Sequence, residues 1–356
     1  MKLTATNSAL GTRTADYDYR LDPAQIAQLP SERRDDSRLL IVERESGTLR
    51  HGRFADLVDL IPAGDVLVLN TTRVIRARLL GTRSPSGAPA EVLLLKPVGD
   101  PSNGTFEALV HPGGKVRPGR TVHIGDDLRV EIVAITDRRT RIVRLHTSGS
   151  VDAALEQYGH VPLPPYIARG DSAADSERYQ TVYAKEPGSV AAPTAGLHFT
   201  TELLARLAQQ GVRRADILLH VGAGTFKPVE SDDPAEHLMH EEWFTIGEAA
   251  ARTINEARAN GSHVWAVGTT TVRTLESAVD DAGCVRAATG DTRLFIRPPY
   301  SFRAVDRLVT NFHLPRSTLL MLVAAFAGYH LTMHAYRTAI EAGYRFYSYG
   351  DAMVVV

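Results

Sequence analysis

Apolar residues recur along this chain with two different spacings. The segments "TELLARLAQQG" (201–211) and "GEAAARTINEARANG" (247–261) carry apolar residues at helical spacing, and each ends at a glycine. Each is followed by a short apolar run, "ADILLHV" or "HVWAVGTT", with the composition of a buried strand. A helix followed by a buried strand, twice in succession, is typical of an α/β sheet. The pattern therefore predicts the α/β class.

The spacing changes between about Gly64 and Leu145. Short β-prone runs such as "DVLVLN", "AEVLLLK", "LRVEIVAI" and "TRIVRLH" are separated there by Gly, Pro, Asp and Asn. Strands at such close intervals indicate a small all-β unit, a barrel or a sandwich. We therefore predict a layered α/β main domain, residues 1–71 plus 150–356, with an inserted small all-β barrel-like domain, residues 72–149.

Composition narrows the class of protein. A chain of 356 residues exceeds what one hydrophobic core usually serves, and 44% hydrophobic with 23% charged residues is ordinary for a globular protein. The net charge of −1 gives no overall attraction to a polyanion, so a nucleic-acid partner requires a local basic patch. The longest apolar run, 319–328, is about half a membrane span. We expect a cytoplasmic protein without a membrane partner and, since no heptad pattern occurs, a monomer.

Candidate chemistry gathers where the predicted α/β strands end. Four segments stand out: "APTAGLHFT", "LHVGAGTFKPV", "VGTTTVRTLES" and "TNFHLPRSTLL". Three of them place Gly, Thr or Asn just after an apolar strand, where backbone N–H groups can approach a ligand. In the first segment, Pro193 and Gly196 indicate a shaped turn, with Gly196 at positive φ and His198 at its rim. We expect this turn to be part of a binding loop.

Several of these residues also fit a purely structural role. Arg273 and Glu276 lie one helical turn apart, so an intrahelical ion pair is as consistent with the spacing as a ligand clamp. The hydroxyls of residues 269–271 could cap that helix. "STLLMLVAAFAG" is predicted to be a buried helix capped by Ser317. The C-terminal "YRFYSYGDAM" is either an aromatic edge that stacks on a planar ring or a closing strand with its tyrosines in the core.

Taken in order, these segments resemble a known family. Together with "DYDYRLDPAQIAQLP", "LNTTRVIRARL", "GHVPLPPYI", "HLMHEEWF" and the C-terminal segment, they are similar to the S-adenosylmethionine:tRNA ribosyltransferase-isomerases of queuosine synthesis. The resemblance runs from about Asp16 to Met353. One departure is Arg76, which stands where the family usually has a proline.

The resemblance implies an unusual use of S-adenosylmethionine. Its ribosyl moiety is transferred and isomerised onto 7-aminomethyl-7-deazaguanine in the wobble position of tRNA, giving epoxyqueuosine-tRNA, adenine and methionine. Because the sulfonium acidifies the adjacent 5′ carbon, the reaction requires a base for that carbon and an acid for the departing adenine. S-adenosylmethionine is then a cosubstrate, tRNA is the partner, and neither a permanently bound cofactor nor a metal is expected.

Roles follow from this implied chemistry. We expect proton transfer or related catalysis from His198, His313 and Asp351. Arg273 suits the methionine carboxylate, and Glu276 or Asp351 suits the amino group or the ribose hydroxyls. The expected substrate-binding residues are Pro193, Thr194, Gly196, Gly222, Gly224, Thr225, Thr269, Thr270, Arg273 and Glu276. The expected tRNA contacts are Arg73, Arg76, Arg78 and Lys115.

Two other classes of protein stay open on the residues alone. A metal-dependent hydrolase would use His198, His220, His237 and His240 as ligands, although their spacing is not that of a known zinc motif, and a hydrogen-bonded structural histidine is favoured for each. A noncatalytic RNA-binding protein would use the barrel and the aromatic C-terminus.

Overall fold

The fold combines one large mixed sheet with a closed β-barrel. In a computed structural model, residues 11–222, 224 and 228–356 are described. Within that part of the chain, the large sheet has nine strands in the order β15-β13-β12-β3-β14-β16-β17-β1-β2, and the six-stranded barrel has the order β10-β7-β6-β5-β8-β9. The predicted combination of an α/β sheet with a small β-barrel is confirmed at this level.

The elements have the following bounds. The strands of the large sheet are β1 (Arg38–Val42), β2 (Leu49–Arg53), β3 (Val66–Asn70), β12 (Arg213–Leu219), β13 (Glu242–Ile246), β14 (Val264–Val267), β15 (Ala288–Thr292), β16 (Arg307–Asn311) and β17 (Ala352–Val355). The barrel strands are β5 (Arg78–Arg83), β6 (Pro89–Pro97), β7 (Thr105–His111), β8 (Thr121–His123), β9 (Arg129–Ile135) and β10 (Arg141–His146). A separate parallel pair is formed by β4 (Thr72–Val74) and β11 (Glu186–Ser189). The helices are α1 (Leu57–Leu60), α2 (Val151–Tyr158), α3 (Asp175–Arg178), α4 (Thr201–Gln209), α5 (Glu248–Ala259), α6 (Thr269–Ser277), α7 (Thr318–Ala327) and α8 (Tyr329–Glu341).

Alternate residues of the central strands belong to two different hydrophobic clusters. In β1, Leu39 and Ile41 pack with the apolar side of α4, whereas Leu40 and Val42 pack with residues of α5, α7 and α8. Successive side chains of a strand point to opposite faces, so both faces of the sheet are covered. The four neighbouring strands β12, β3, β14 and β16 run parallel, and their carboxyl ends therefore lie at one edge.

The barrel has its own core. Its strands alternate buried and partly exposed residues, and Val92, Val130 and Val143 are fully buried inside it. The chain enters and leaves the barrel side by side, because Arg78 and His160 exchange two backbone hydrogen bonds of 3.2 and 2.8 Å. The predicted domain limits, 72 and 149, stay a prediction.

The two predicted helix and strand pairs are confirmed as α4 with β12 and α5 with β14. The structure also decides between the interpretations of two other segments. "DVLVLN" forms β3 in the middle of the large sheet, because every residue of it is buried and none is left to face solvent. The C-terminal aromatics Tyr344, Phe346, Tyr347 and Tyr349 are 0–7% exposed and pack inward, as a closing segment does.

The apolar segment near the C-terminus forms α7, and Ser317 caps it by accepting from the N–H of Leu320 at 3.2 Å, as predicted. None of the described helices alone has the length and hydropathy to cross a membrane, and only α7 and α8 taken together, bent by 115°, would pass such a test. Most of α7 is buried in the core of the main sheet.

Candidate active site

A cleft lies at the carboxyl ends of the parallel strands. We call it the strand-end cleft; its empty volume is about 530 Å³. Its walls come from the ends of β14 and β16, the loop after β12 and the turn before α4. The lining residues are Tyr166, Ala192, Val221, Leu319 and the ranges 193–195, 268–270, 310–314 and 347–348. This is the position at which parallel α/β sheets bind ligands.

The first wall is the start of α6. Strand β14 ends at Val267, and Gly268 turns the chain with a φ of 87° that glycine adopts without strain. Thr269 and Thr270, two predicted binding residues, then line the cleft. The first N–H groups of a helix have no intrahelical partner and carry partial positive charge. This wall therefore suits a negatively charged group.

His313 belongs to the second wall, after the end of β16. Its Nε2 lies 2.8 Å from the hydroxyl of Thr310, and its backbone N–H donates to Tyr336 at 2.8 Å. Burial lowers the pKa of His313 to about 3, so the imidazole is neutral at physiological pH. Of the two histidines predicted to act in catalysis, His313 lines the strand-end cleft and His198 does not.

His198 is the last residue of a short 3₁₀ turn, Thr194–His198, that follows Pro193. Its ring stacks on Phe54 with centroids 4.9 Å apart, and both ring nitrogens have partners: Nδ1 lies 2.7 Å from Ser37 Oγ, and Nε2 lies 3.1 Å from Asn311 Nδ2. Burial, with Arg345 and Arg34 nearby, lowers its pKa to about 3. His198 is thus a neutral, fully hydrogen-bonded side chain, and its proton-transfer role stays a prediction.

The turn itself needs glycine for a different reason from the predicted one. Gly196 does not have a positive φ. A Cβ atom built on Gly196 would lie 2.1 Å from the hydroxyl of Tyr183 and 2.8 Å from Cγ2 of Thr181. Close packing against these side chains, rather than a left-handed backbone, therefore excludes larger residues at this position.

Asn311 is the functional candidate that the sequence analysis missed. It is the last residue of β16, its Nδ2 lies 3.1 Å from Nε2 of His198, and it lines the strand-end cleft. It is 2% exposed. A buried-strand pattern ending in a polar residue was present in "RLVTNFH", but the histidine two residues later carried the stronger chemical signal.

A second, larger cleft separates the barrel from the large sheet. We call it the barrel cleft; its empty volume is about 1530 Å³. Barrel residues such as Lys96 and Arg138 form one wall, and Gly222, Gly224 and Trp243 form the other. The indole of Trp243 is stacked on His220, with centroids 5.3 Å apart and an interplanar angle of 20°. Thr225, predicted beside the cosubstrate, lies outside the described residues.

The charged residues predicted to hold the cosubstrate lie in internal contacts. Arg273 forms a buried ion pair with Glu242 and donates to the carbonyl of Leu294 at 2.9 Å. Glu276 accepts from the backbone N–H groups of Arg303 and Ala304. Neither Arg273 nor Glu276 lines the strand-end cleft. Their contacts with substrate stay predictions.

Asp351 is also engaged in hydrogen bonds within the protein. It accepts from the backbone N–H groups of Arg38 at 3.0 Å and Arg345 at 2.8 Å, and it is 2% exposed. These contacts join the start of β1 to the turn before β17. Asp351 is outside the lining of the strand-end cleft, so its catalytic role stays a prediction.

Comparison with known proteins adds the family. The model of one protein family, described as "Queuosine biosynthesis protein", matches residues 14–355. The chain belongs to the queuosine biosynthesis protein family. The match covers nearly the whole chain, and it therefore includes both clefts and the barrel.

Named members of this family are similar over their full length. A protein of Symbiobacterium thermophilum named S-adenosylmethionine:tRNA ribosyltransferase-isomerase is 52% identical over 97% of this chain and 100% of its own. One of the same name from Thermus thermophilus is 51% identical over 96% and 98% of the two chains. A crystal structure of S-adenosylmethionine tRNA ribosyltransferase from Thermotoga maritima is 37% identical, with a TM-score of 0.54 over 96% of this chain and 99% of that one.

The four residues predicted to contact tRNA differ in their surroundings. Arg73 and Lys115 are exposed. Arg76 forms an ion pair with Glu156 at 3.4 Å, and Arg78 forms one with Glu91 at 2.9 Å. All four lie in the barrel or in the segment that leads into it, and their contact with tRNA stays a prediction.

The histidines of the alternative hydrolase are not gathered into a metal site. Among the described residues, no group of three or more His, Cys, Asp or Glu side chains is arranged to hold a metal ion. His220 Nδ1 lies 2.9 Å from the hydroxyl of Thr72, and His237 packs on Phe295. The family does not support the hydrolase or the noncatalytic RNA-binding protein.

Proposed function

We propose that this protein is an S-adenosylmethionine:tRNA ribosyltransferase-isomerase. It transfers the ribosyl moiety of S-adenosylmethionine onto 7-aminomethyl-7-deazaguanine in the wobble position of tRNA and releases adenine and methionine. The observation that carries this proposal is the identity of about half of all residues to proteins of that name, from end to end in both partners. S-adenosylmethionine is the ribosyl donor and tRNA carries the acceptor.

The strand-end cleft is the proposed site of the cosubstrate. It is narrow, mostly buried and placed where the helix α6 begins, so the carboxylate of the methionine moiety would meet the partial positive charge of the N–H groups at Thr269 and Thr270. Pro193 and Thr194 also line this cleft. This assignment uses the uncharged groups of the cleft and leaves Arg273 in its ion pair.

His313 is the proposed proton acceptor. It lines the strand-end cleft, and its low pKa keeps the imidazole neutral, which is the form that can take a proton from the 5′ carbon. His198 has a structural position and is not assigned a proton-transfer step.

The barrel cleft is the proposed site of the wobble base and its neighbours. Trp243 is 38% exposed and already stacked on His220, so its open face is available to a planar base. Stacking on an aromatic side chain is the common way to hold an unpaired base. Arg73, Arg76, Arg78 and Lys115 would contact phosphates, and of these Arg73 and Lys115 are exposed.

The proposal extends to organisation and setting. Residues 72–149 act as an inserted domain, and the main domain is layered, with α4 on one face of the sheet and α5, α7 and α8 on the other. Support for layering comes from the alternation of the two hydrophobic clusters along β1. The protein acts as a monomer in the cytoplasm, where tRNA is found. Light scattering at micromolar concentration would then give the mass of one chain, 38.8 kDa.

One experiment tests the proposed activity. The full-length protein is incubated with S-adenosylmethionine labelled in the ribose and with tRNA that carries 7-aminomethyl-7-deazaguanine. The label is expected to move into the tRNA. A matched tRNA with guanine at the wobble position is the control and should stay unlabelled. Retention of all label in small molecules, with folded protein and intact tRNA, would contradict the proposal.

A further inference from the structure

Asn311 carries an unsatisfied hydrogen-bond acceptor. Its side-chain oxygen, Oδ1, is buried and has no hydrogen-bond partner. Among the described residues, it is the one buried side-chain atom without a partner that belongs to a residue lining the strand-end cleft. A buried polar atom left without a partner destabilises the folded state, because it has lost its hydrogen bonds to water. Such an atom at a cleft is expected to find its partner in a ligand.

The orientation of this amide is determined by its neighbours. Nδ2 donates to the backbone carbonyl of Tyr347 at 3.1 Å and to Nε2 of His198 at 3.1 Å. A carbonyl oxygen only accepts hydrogen bonds, so the NH₂ group, and not the oxygen, must face Tyr347. Oδ1 therefore points away from the carbonyl of Tyr347 and from His198.

His198 and Ser37 complete the arrangement. The hydroxyl of Ser37 donates to the carbonyl of Arg34 at 3.2 Å, so its oxygen is left to accept from Nδ1–H of His198. The proton of the neutral ring is then on Nδ1, and Nε2 is free to accept from Asn311. In this series of hydrogen bonds, from Ser37 through His198 to Asn311, every donor has an acceptor. The one group without a partner is the acceptor Oδ1 of Asn311.

We propose that Asn311 binds substrate and that His198 is a positioning residue that acts through it. Oδ1 of Asn311 accepts a hydrogen bond from an N–H group of a substrate in the strand-end cleft. The proposal rests on the proposed function, which supplies two carriers of such groups: S-adenosylmethionine, with its ammonium and amino groups, and the aminomethyl-deazaguanine of tRNA. An uncharged acceptor suits both amines and ammonium groups. The loop "APTAGLHF" then serves to bring His198 behind Asn311.

Four variants separate binding from folding. Asn311→Ala removes the acceptor. His198→Gln can still accept from Asn311 through its side-chain oxygen, whereas His198→Asn is too short to reach it. Asn255→Ala is the matched control, because Asn255 is also bonded to backbone, donating to and accepting from Val285, and lies outside both clefts. Thermal unfolding of each variant shows whether it is folded.

The measurements are the dissociation constant of S-adenosylmethionine without tRNA, and kcat and KM for the modified tRNA. Asn311→Ala is expected to weaken the binding of one of these two substrates about tenfold, which is the effect of one lost hydrogen bond. His198→Asn should act in the same direction, and His198→Gln should remain within about twofold of the unsubstituted protein. A weaker dissociation constant identifies S-adenosylmethionine as the donor; a higher KM for tRNA alone identifies the base.

The inference is overturned if folded Asn311→Ala binds both substrates within twofold of the unsubstituted protein. It is also overturned if His198→Gln and His198→Asn lose the same activity, since a role for the ring itself would then be required. Failure of the proposed function gives a different result: the unsubstituted protein would release no adenine, while the dissociation constant of S-adenosylmethionine would still report on Asn311.

Discussion

Arg273 of α6 and Glu242 of β13 form an ion pair in which each side chain is only 6% exposed. The other carboxylate oxygen of Glu242 accepts from the N–H of Gly222 at 3.0 Å. The pair therefore joins the helix that begins at the strand-end cleft to the loop that lines the barrel cleft.

Breaking this ion pair should destabilise the fold rather than the cosubstrate complex. Arg273→Met leaves a buried carboxylate without its partner, which typically costs about 3–5 kcal/mol of the free energy of unfolding. Adding Glu242→Gln, which removes the charge and keeps an acceptor for Gly222, should recover much of that loss. Urea unfolding measures both. A stable Arg273→Met variant that binds S-adenosylmethionine weakly would instead support the carboxylate contact predicted from the sequence.

Gly196 and Tyr183 should show strong coupling. Gly196→Ala places a methyl group against the Tyr183 hydroxyl, and overpacking of this kind costs about 1–3 kcal/mol. That hydroxyl is buried without a hydrogen bond, so Tyr183→Phe alone should be close to neutral. In the double variant, part of the loss should be recovered, because the Tyr183 hydroxyl is gone. The recovery should be incomplete, because Thr181 remains close to the new methyl group. Purely additive free energies of unfolding would show that the contact with Tyr183 is not what excludes a side chain.

Acid should destabilise the protein through its buried histidines. His198 and His313 have a pKa of about 3 in the folded protein and about 6.5 when unfolded, so the unfolded chain binds their protons first as the pH falls. Their contribution is complete above pH 6.5 and is lost towards pH 3. Well below pH 6.5, each histidine adds about 1.4 kcal/mol per pH unit to the slope of stability. His198→Gln removes one of these titrating groups and should lower the slope by about 1.4 kcal/mol per pH unit. An unchanged slope would contradict the neutral state of His198.

The proposed tRNA contacts should respond to salt, and the stacking residue should not. Lys115→Ala and Arg73→Ala are each expected to reduce the slope of log affinity against log salt concentration by about one. Trp243→Ala should weaken tRNA binding with little change in that slope, because stacking releases no counterions. Neither kind of change should alter the affinity for S-adenosylmethionine. If these variants bound S-adenosylmethionine as weakly as they bind tRNA, the residues would not be specific tRNA contacts.

Much of the fold was predictable because hydrophobic spacing is a local property. The helices α4 and α5 and the strands after them follow from residues within one segment. "DVLVLN" was grouped with the β-prone runs, although the predicted limit of 72 leaves it in the main domain. A short apolar run carries no information about which sheet it joins, and the partners of this one, β12 and β14, lie about 150 and 200 residues further along the chain.

The site was less predictable because its contacts are long-range. The sequence indicated the segments that form the strand-end cleft, including Thr269, Thr270 and His313. It could not show that Glu242, 31 residues away, pairs with Arg273, or that Ser37 and Asn311 lie on either side of His198. Asn311 can be recognised as a candidate only from the structure, which shows that Nδ2 is hydrogen-bonded and that Oδ1 has no partner.

The central claim is that this protein converts S-adenosylmethionine and a modified tRNA into three products in one reaction. The direct test is the stoichiometry of free adenine, free methionine and tRNA-bound epoxyqueuosine, measured by mass spectrometry over the first turnovers. The account predicts equal amounts of all three, formed only with tRNA that carries 7-aminomethyl-7-deazaguanine. Adenine released without that tRNA, or tRNA bound with no new nucleoside, would contradict it.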